Sequence, residues 1–408
     1  MRIILLILIT AQTLFAQKNY EFKNGNWYNG SDFTPATWYS VGGKLSKKAP
    51  SKIDSVIDLG YHWVIPPLGD AFSSCLTEHP SPEMNLKSYL NEGIFYVQTL
   101  GNTKEGRQKV EAKRLLNPSP DIAYANGELT CTLGEPFMRY EPAASGIVNL
   151  NEIKRRTAEI EKMRKGLGDG YWLLDSKDAV SANWDKIKAQ QPGVICISLL
   201  DAEKSGGKPG KGLTAEVAKA VVKKAHKSDW KVFARVENAS DIRLAVALGV
   251  DGIAGLPGYN WTGEGSTTAY DLTDADLKLL AKKGTIIIPL FSRAQGMSLP
   301  KPQVLTYQAA QLNKLMAAGV KVAVGSDDIQ RTIRSEVTYW FNLGNLNTPA
   351  ALKALCETTP RAIFPERKIG RIENGFEASF LVLESNPLEN FLKMRAIRFK
   401  VKNGVLLK

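Results

Sequence analysis

The feature that most constrains this chain is an alternation. From about residue 64 to residue 366, short apolar runs recur with helical patterns between them. The runs fall at 63–65, 94–97, 121–124, 194–197, 232–234, 252–254, 285–288 and 322–324. Near-continuous apolar strands need burial on both faces, which a parallel sheet covered by helices supplies. Eight of them alternating with helices predict an α/β chain built as a (β/α)8 TIM-like barrel. The rival is an open doubly wound sheet. Neither a GxGxxG turn nor a P-loop follows the first run, which weakens that rival.

Several helix ends can be read directly. Thr273 with Asp276 predicts a capped start, Leu277, Leu280 and Ala281 form the apolar face, and Gly284 stops the helix. Ser240 is read as the cap of a helix carrying Ile242, Ala245 and Val246 on one face. Thr348 followed by Pro349 predicts another cap, with proline at the first helical position. The two ends of the chain differ from the middle. Residues 17–63 and 367–408 read as short strands and turns, such as Asn29-Gly30 and Asn403-Gly404. A composite β-sandwich domain made from both segments is expected to flank a barrel of residues 64–366.

Residues 1–16 carry Arg2, an apolar stretch and Ala16, the pattern of a secretory signal peptide. An exported protein, periplasmic or secreted, is expected, with no membrane span. Cys75, Cys131, Cys196 and Cys356 are too widely spaced for a zinc motif and read as buried thiols. The 53 Lys and Arg against 41 Asp and Glu give a net charge of +12. The basic stretches lack interleaved aromatic residues, so a nucleic-acid partner is not expected. The glycine- and lysine-rich loop at 205–212 lacks P-loop spacing and reads as a strand-to-helix loop.

Ordered motifs then point to one family. Residues 56–60 lead into 66–71, Pro-Pro-Leu-Gly-Asp-Ala. Ala234-Arg235-Val236-Glu237 precedes a stretch, 247–258, that ends Gly255-Leu256-Pro257-Gly258. Gly325-Ser326-Asp327 follows an apolar strand, and a Lys-Ile-Gly-Arg-Ile tail at 368–372 leads to Asn386-Pro387-Leu388. In this order they resemble the amidohydrolase superfamily, its imidazolonepropionase-like exported members in particular. The resemblance covers nearly all of the chain after residue 16. It implies a barrel whose mouth holds zinc or another divalent metal. Such a metal lowers the pKa of bound water and polarises the scissile carbonyl.

The resemblance also locates the ligands, and the residue types there are wrong. The two histidines after the first strand fall on Phe72 and Ser74. A carboxylated lysine falls on Cys196. Two further histidines fall on Arg235 and Gly255, and an aspartate on Asp327. Only Asp327 keeps the family's residue. Phe and Gly offer no donor, and arginine carries a permanent charge that repels a cation. The chain has three histidines, His62, His79 and His226, and His79 alone follows the first strand on the loop side. No cofactor is therefore expected. Removing a dication would leave Asp327 buried and unpaired, so an Arg235–Asp327 ion pair, with Glu237 or Asp328 near it, is predicted in its place. Cys196 as a nucleophile activated by Arg235, and Ser73 or Ser74 as one, both lack a base. Phe72, Tyr259, Trp261 and Phe291 are expected to fill the vacated space or to line a pocket.

The expected function is a non-catalytic pseudoenzyme binding a small molecule, or a partner subunit for a second copy or an intact relative. The competing expectation is an active hydrolase of C–N bonds with an atypical or metal-free site built on Asp327 and Arg235.

Overall fold

The structure is a computed structural model, and it describes residues 17–116, 118–200, 211–295, 300–344 and 347–407. The segment 1–16 and most of the loop at 205–212 lie outside the described residues.

Two sets of parallel strands form the central layer. Leu68–Asp70, Ile94–Thr99 and Asp121–Tyr124 pair in sequence order. Glu128–Thr130, Ile195–Ser198, Val232–Arg235, Gly252–Ala254, Ile286–Ile288 and Lys321–Val322 continue in a second set, again in order. The third strand is thus split. Asn126 takes a left-handed φ of 62° between its halves, and only the second half meets the fourth strand. At the other junction Ala71 N–H donates to Val324 O at 2.7 Å, and Asp327 N–H donates to Phe72 O at 2.7 Å. These bonds tie the last strand to the first. The result is a TIM-barrel-like α/β fold whose strand carboxyl ends bring residues 70–74, 128, 196, 235 and 327 to one end.

Most strands are buried along their whole length, as their apolar runs require. The helices between them start and stop as their sequences dictate. Thr273 and Asp276 form a reciprocal capping box, and Gly284 ends that helix at φ 68°, where a side chain would be strained. The cap before Ala239–Leu248 is Asn238, paired with Asp241, rather than Ser240. Asn238 wins because the oxygen of an extended-backbone residue reaches Asp241 N–H, whereas Ser240 already lies inside the first turn. Likewise Asn347 caps Thr348–Lys353, which places Pro349 second in the helix.

The ends of the chain build one eight-stranded sheet. Tyr20–Tyr28 is its centre, and Phe380–Leu383 joins it through Trp63–Ile65, with Ile65 opposite Leu381. Trp63–Ile65 therefore belongs to this terminal sheet, and the first barrel strand is Leu68–Asp70. Pro66-Pro67 separates the two, since proline lacks the donor a continuous ladder needs. The sheet has its own aromatic core. Phe380 meets Phe22 edge-on at 4.8 Å and Trp27 at 5.1 Å, and Val64, Val382 and Val401 pack around them. No described helix is long and apolar enough to cross a membrane.

Candidate functional site

Asp327 lies in the segment that follows the last barrel strand, at φ 39°, and its side chain is fully buried. Three arginines converge on it. Arg139 Nη1 lies 3.1 Å from Oδ1, Arg293 Nε 2.8 Å from Oδ2, and Arg235 Nη2 3.9 Å from Oδ2. The Arg293 N–H is not aligned for a hydrogen bond to Oδ2, so that contact is one of charge. Ser74 Oγ donates to Oδ1 at 2.7 Å and accepts from Arg139 Nη2 at 2.7 Å. Burial alone would push the Asp327 carboxyl up. The charges of Arg293, Arg139 and Arg235 outweigh it and hold the group well below the usual carboxylate range.

Each arginine is positioned from a different element. Arg235 closes its strand, and its guanidinium sits 5.7 Å from the centre of the Phe72 ring. Its nearer anion is Glu128, at 3.3 Å. Glu128 is itself 1% exposed, and its Oε1 has no hydrogen-bond partner among the described residues. Burial pushes the Glu128 carboxyl up to about 7 against the pull of Arg235. Arg139 comes from the helix Phe137–Ala144, inserted after the third strand, and also pairs with Glu78 at 2.9 Å. Arg293 follows the seventh strand and rests 6.0 Å from the Tyr259 ring.

The expected Arg235–Asp327 contact is therefore present but long, and it is shared. The correction is that Arg139 and Arg293 lie nearer to Asp327 than Arg235 does. Glu237 pairs instead with Lys211 and Asp328 with Arg331, both at the rim. Sequence reasoning missed Arg139, Arg293, Glu128 and Glu78. Only Glu78, next to His79 in the loop after the first strand, carried any positional signal.

The other candidates lie where the strand ends put them. Phe72 is 1% exposed beneath Arg235, and Ser74 is buried on Asp327. Cys196 is buried in the fourth strand. Burial and the nearby Glu128 raise its thiol well above the ordinary value, outweighing Arg235. A thiol held protonated is a poor nucleophile. Gly255 has φ 104°, and a Cβ there would stand 2.6 Å from Val236 O. The backbone at that position is shaped for glycine and rejects a histidine side chain. Tyr259 is buried beside Arg293, Phe291 is buried against Tyr339, and Trp261 packs on Tyr307.

The histidines are all engaged elsewhere. His62 contacts Glu384, His226 contacts Asp251, and His79 Nδ1 accepts from Ser81 N–H. Among the described residues no group of three His, Cys, Asp or Glu side chains has metal-holding geometry. The donor set at the strand ends does not fit zinc. It consists of one carboxylate already neutralised by guanidinium groups, a hydroxyl bonded to that carboxylate and a protonated thiol. What the arrangement can do is hold fixed positive charge at a partly open mouth. The side chains of Arg139 and Arg293 keep 21% and 32% of their surface exposed above a buried Asp327.

Comparison with known proteins fits this geometry into a wider group. No family model matches the chain. In sequence it is 27% identical over 191 residues to the ochratoxinase of Aspergillus niger. That match spans 42% of this chain and 40% of the relative. In structure, a Xaa-Pro dipeptidase with methionine bound in its active site superposes with a TM-score of 0.71 at 18% identity, over 96% of this chain and 100% of the other. A. niger ochratoxinase gives 0.70 at 16% identity, over 96% of each chain. Molinate hydrolase gives 0.72 at 14% identity, over 97% of this chain and 95% of its own. The chain therefore has the fold of these hydrolases and shares a stretch of sequence with one of them.

Proposed function

We propose that this chain is an exported pseudoenzyme of the amidohydrolase fold, which binds a small molecule at its barrel mouth and does not hydrolyse it. One observation carries the reading: Asp327 is surrounded by Arg139, Arg235 and Arg293 at 2.8–3.9 Å. A dication placed on Asp327 would face three guanidinium charges in a medium of low dielectric, where like-charge repulsion is strong. Without the metal there is no Lewis acid for the carbonyl and no activated water. The relatives are hydrolases acting on C–N bonds, so loss of that chemistry is a claim about this chain alone. The exposed faces of Arg139 and Arg293 favour a ligand that carries a carboxylate.

The test is turnover by the purified full chain with zinc supplied. Prolyl dipeptides, ochratoxin and molinate are incubated with it, and products are followed by chromatography. The reading expects no hydrolysis above the uncatalysed rate. Turnover that Asp327→Asn abolishes would overturn it in favour of an active hydrolase.

A further inference from the structure

A cleft of about 840 Å³ opens between the helices Lys104–Arg114 and Lys177–Ala189, beside the loop that precedes Tyr171. It shares no residue with the arginine–carboxylate cluster at the mouth. It arises where the third strand is interrupted, at Asn126. Lys104, Arg107 and Lys186 line it, together with Asn126, Trp172 and Gln190.

Two features of this cleft call for an anion, and a third supplies a ring surface. First, no carboxylate pairs with Lys104, Arg107 or Lys186 among the described residues. The one acid in the lining, Glu111, is taken by Arg114 at 2.5 Å and by the Tyr124 hydroxyl at 2.8 Å. Asp169 at the rim accepts from Lys104 N–H at 2.6 Å, capping the helix rather than meeting a lysine ammonium. Second, Arg107 is held ready. Its Nη1 donates to Asn126 Oδ1 at 3.2 Å and to Gln190 O at 3.1 Å, and its guanidinium lies 4.9 Å from the centre of the Tyr124 ring. Those bonds fix one nitrogen and leave the rest of the fork for a ligand. Third, Trp172 in the lining is 6% exposed, and the six-membered ring of its indole lies against Gly168, which also lines the cleft.

The volume is that of a site for a drug-sized molecule, and the indole supplies an apolar wall. We propose that this cleft is a second binding site, taking a small ring-bearing oxyanion. The oxyanion lies on Arg107, Lys104 and Lys186, and the ring lies against Trp172. Carboxylates and phosphates share this chemistry, and the probes separate them.

Titration calorimetry on the full chain tests it. The probes are benzoate and phenyl phosphate. Benzyl alcohol supplies the ring without the charge, and inorganic phosphate the charge without the ring. The expected result is saturable binding of at least one ring anion, tighter than both controls. Lys104→Glu combined with Lys186→Glu changes two exposed side chains and is expected to weaken that binding at least tenfold, about 1.4 kcal/mol. Arg107→Gln carries the same expectation. The proposal is overturned if neither ring anion binds at millimolar concentration, or if benzyl alcohol binds equally well. It is also overturned if the cleft variants bind as the wild type does.

Discussion

Replacing Asp327 by asparagine removes one charge from the centre of the cluster and little else. Asparagine keeps an oxygen for Ser74 and Arg139, so the change reads charge rather than shape. At an effective dielectric of about 20, contacts of 2.8, 3.1 and 3.9 Å each carry a gross attraction of about 4–6 kcal/mol. Most of that is consumed in taking the ions out of water. Breaking a buried pair by removing one partner costs about 3–5 kcal/mol net, because the surviving charge stays buried. Arg293 keeps about a third of its side chain in water, so its share is screened. The expected loss for Asp327→Asn is therefore at the lower end, about 3 kcal/mol. Urea unfolding followed by circular dichroism at pH 7 measures it. Adding Arg293→Gln to Asp327→Asn removes one stranded cation and is expected to recover about 1 kcal/mol. A loss below about 1 kcal/mol for Asp327→Asn, or further destabilisation in the double variant, would refute the view that Asp327 is the counter-ion of the arginines.

Other expectations follow from the same geometry. Glu128 has its folded pKa raised to about 7, so its contribution to stability is present at low pH and is lost as pH climbs from about 4.5 through 7. Wild type minus Glu128→Gln stability is expected to fall by on the order of 3 kcal/mol across that window, and a flat difference in urea midpoints would contradict it. Gly255→His, which puts there the residue type that the resemblance implies, is expected to cost about 1–3 kcal/mol in backbone strain alone, and undiminished stability in urea would contradict the assigned backbone. Cys196 should resist iodoacetamide at pH 8 in the native chain and react once unfolded, as read by mass spectrometry of its peptide; native-state labelling would show that its thiol is neither buried nor held protonated.

The legible part of the fold was its periodicity. Buried parallel strands are apolar throughout, so their order and the helices between them stand out, as does the capping box at Thr273. Trp63–Ile65 misled because an apolar triplet looks the same in either sheet, and only pairing with Leu381 decides which one it joins. The split of the third strand was invisible for a related reason. Glu128–Thr130 holds a charged residue where a buried strand should be apolar, and only Arg235, over a hundred residues away, makes that tolerable. The site was half legible. Asp327, Arg235, Ser74 and Phe72 could be assigned because they sit within ordered motifs. Arg139 and Arg293 sit in no motif. Their roles come from an inserted helix and a loop that fold back over the strand ends, and no local spacing encodes that return.

The central claim is that the charge at this barrel mouth is supplied by arginines and not by a metal. Metal content tests it most directly. The full chain, purified, incubated with excess zinc and then dialysed, is analysed by inductively coupled plasma mass spectrometry beside its Asp327→Asn variant. The account predicts that the two hold the same substoichiometric zinc. At least one zinc per wild-type chain, lost in Asp327→Asn, would contradict it.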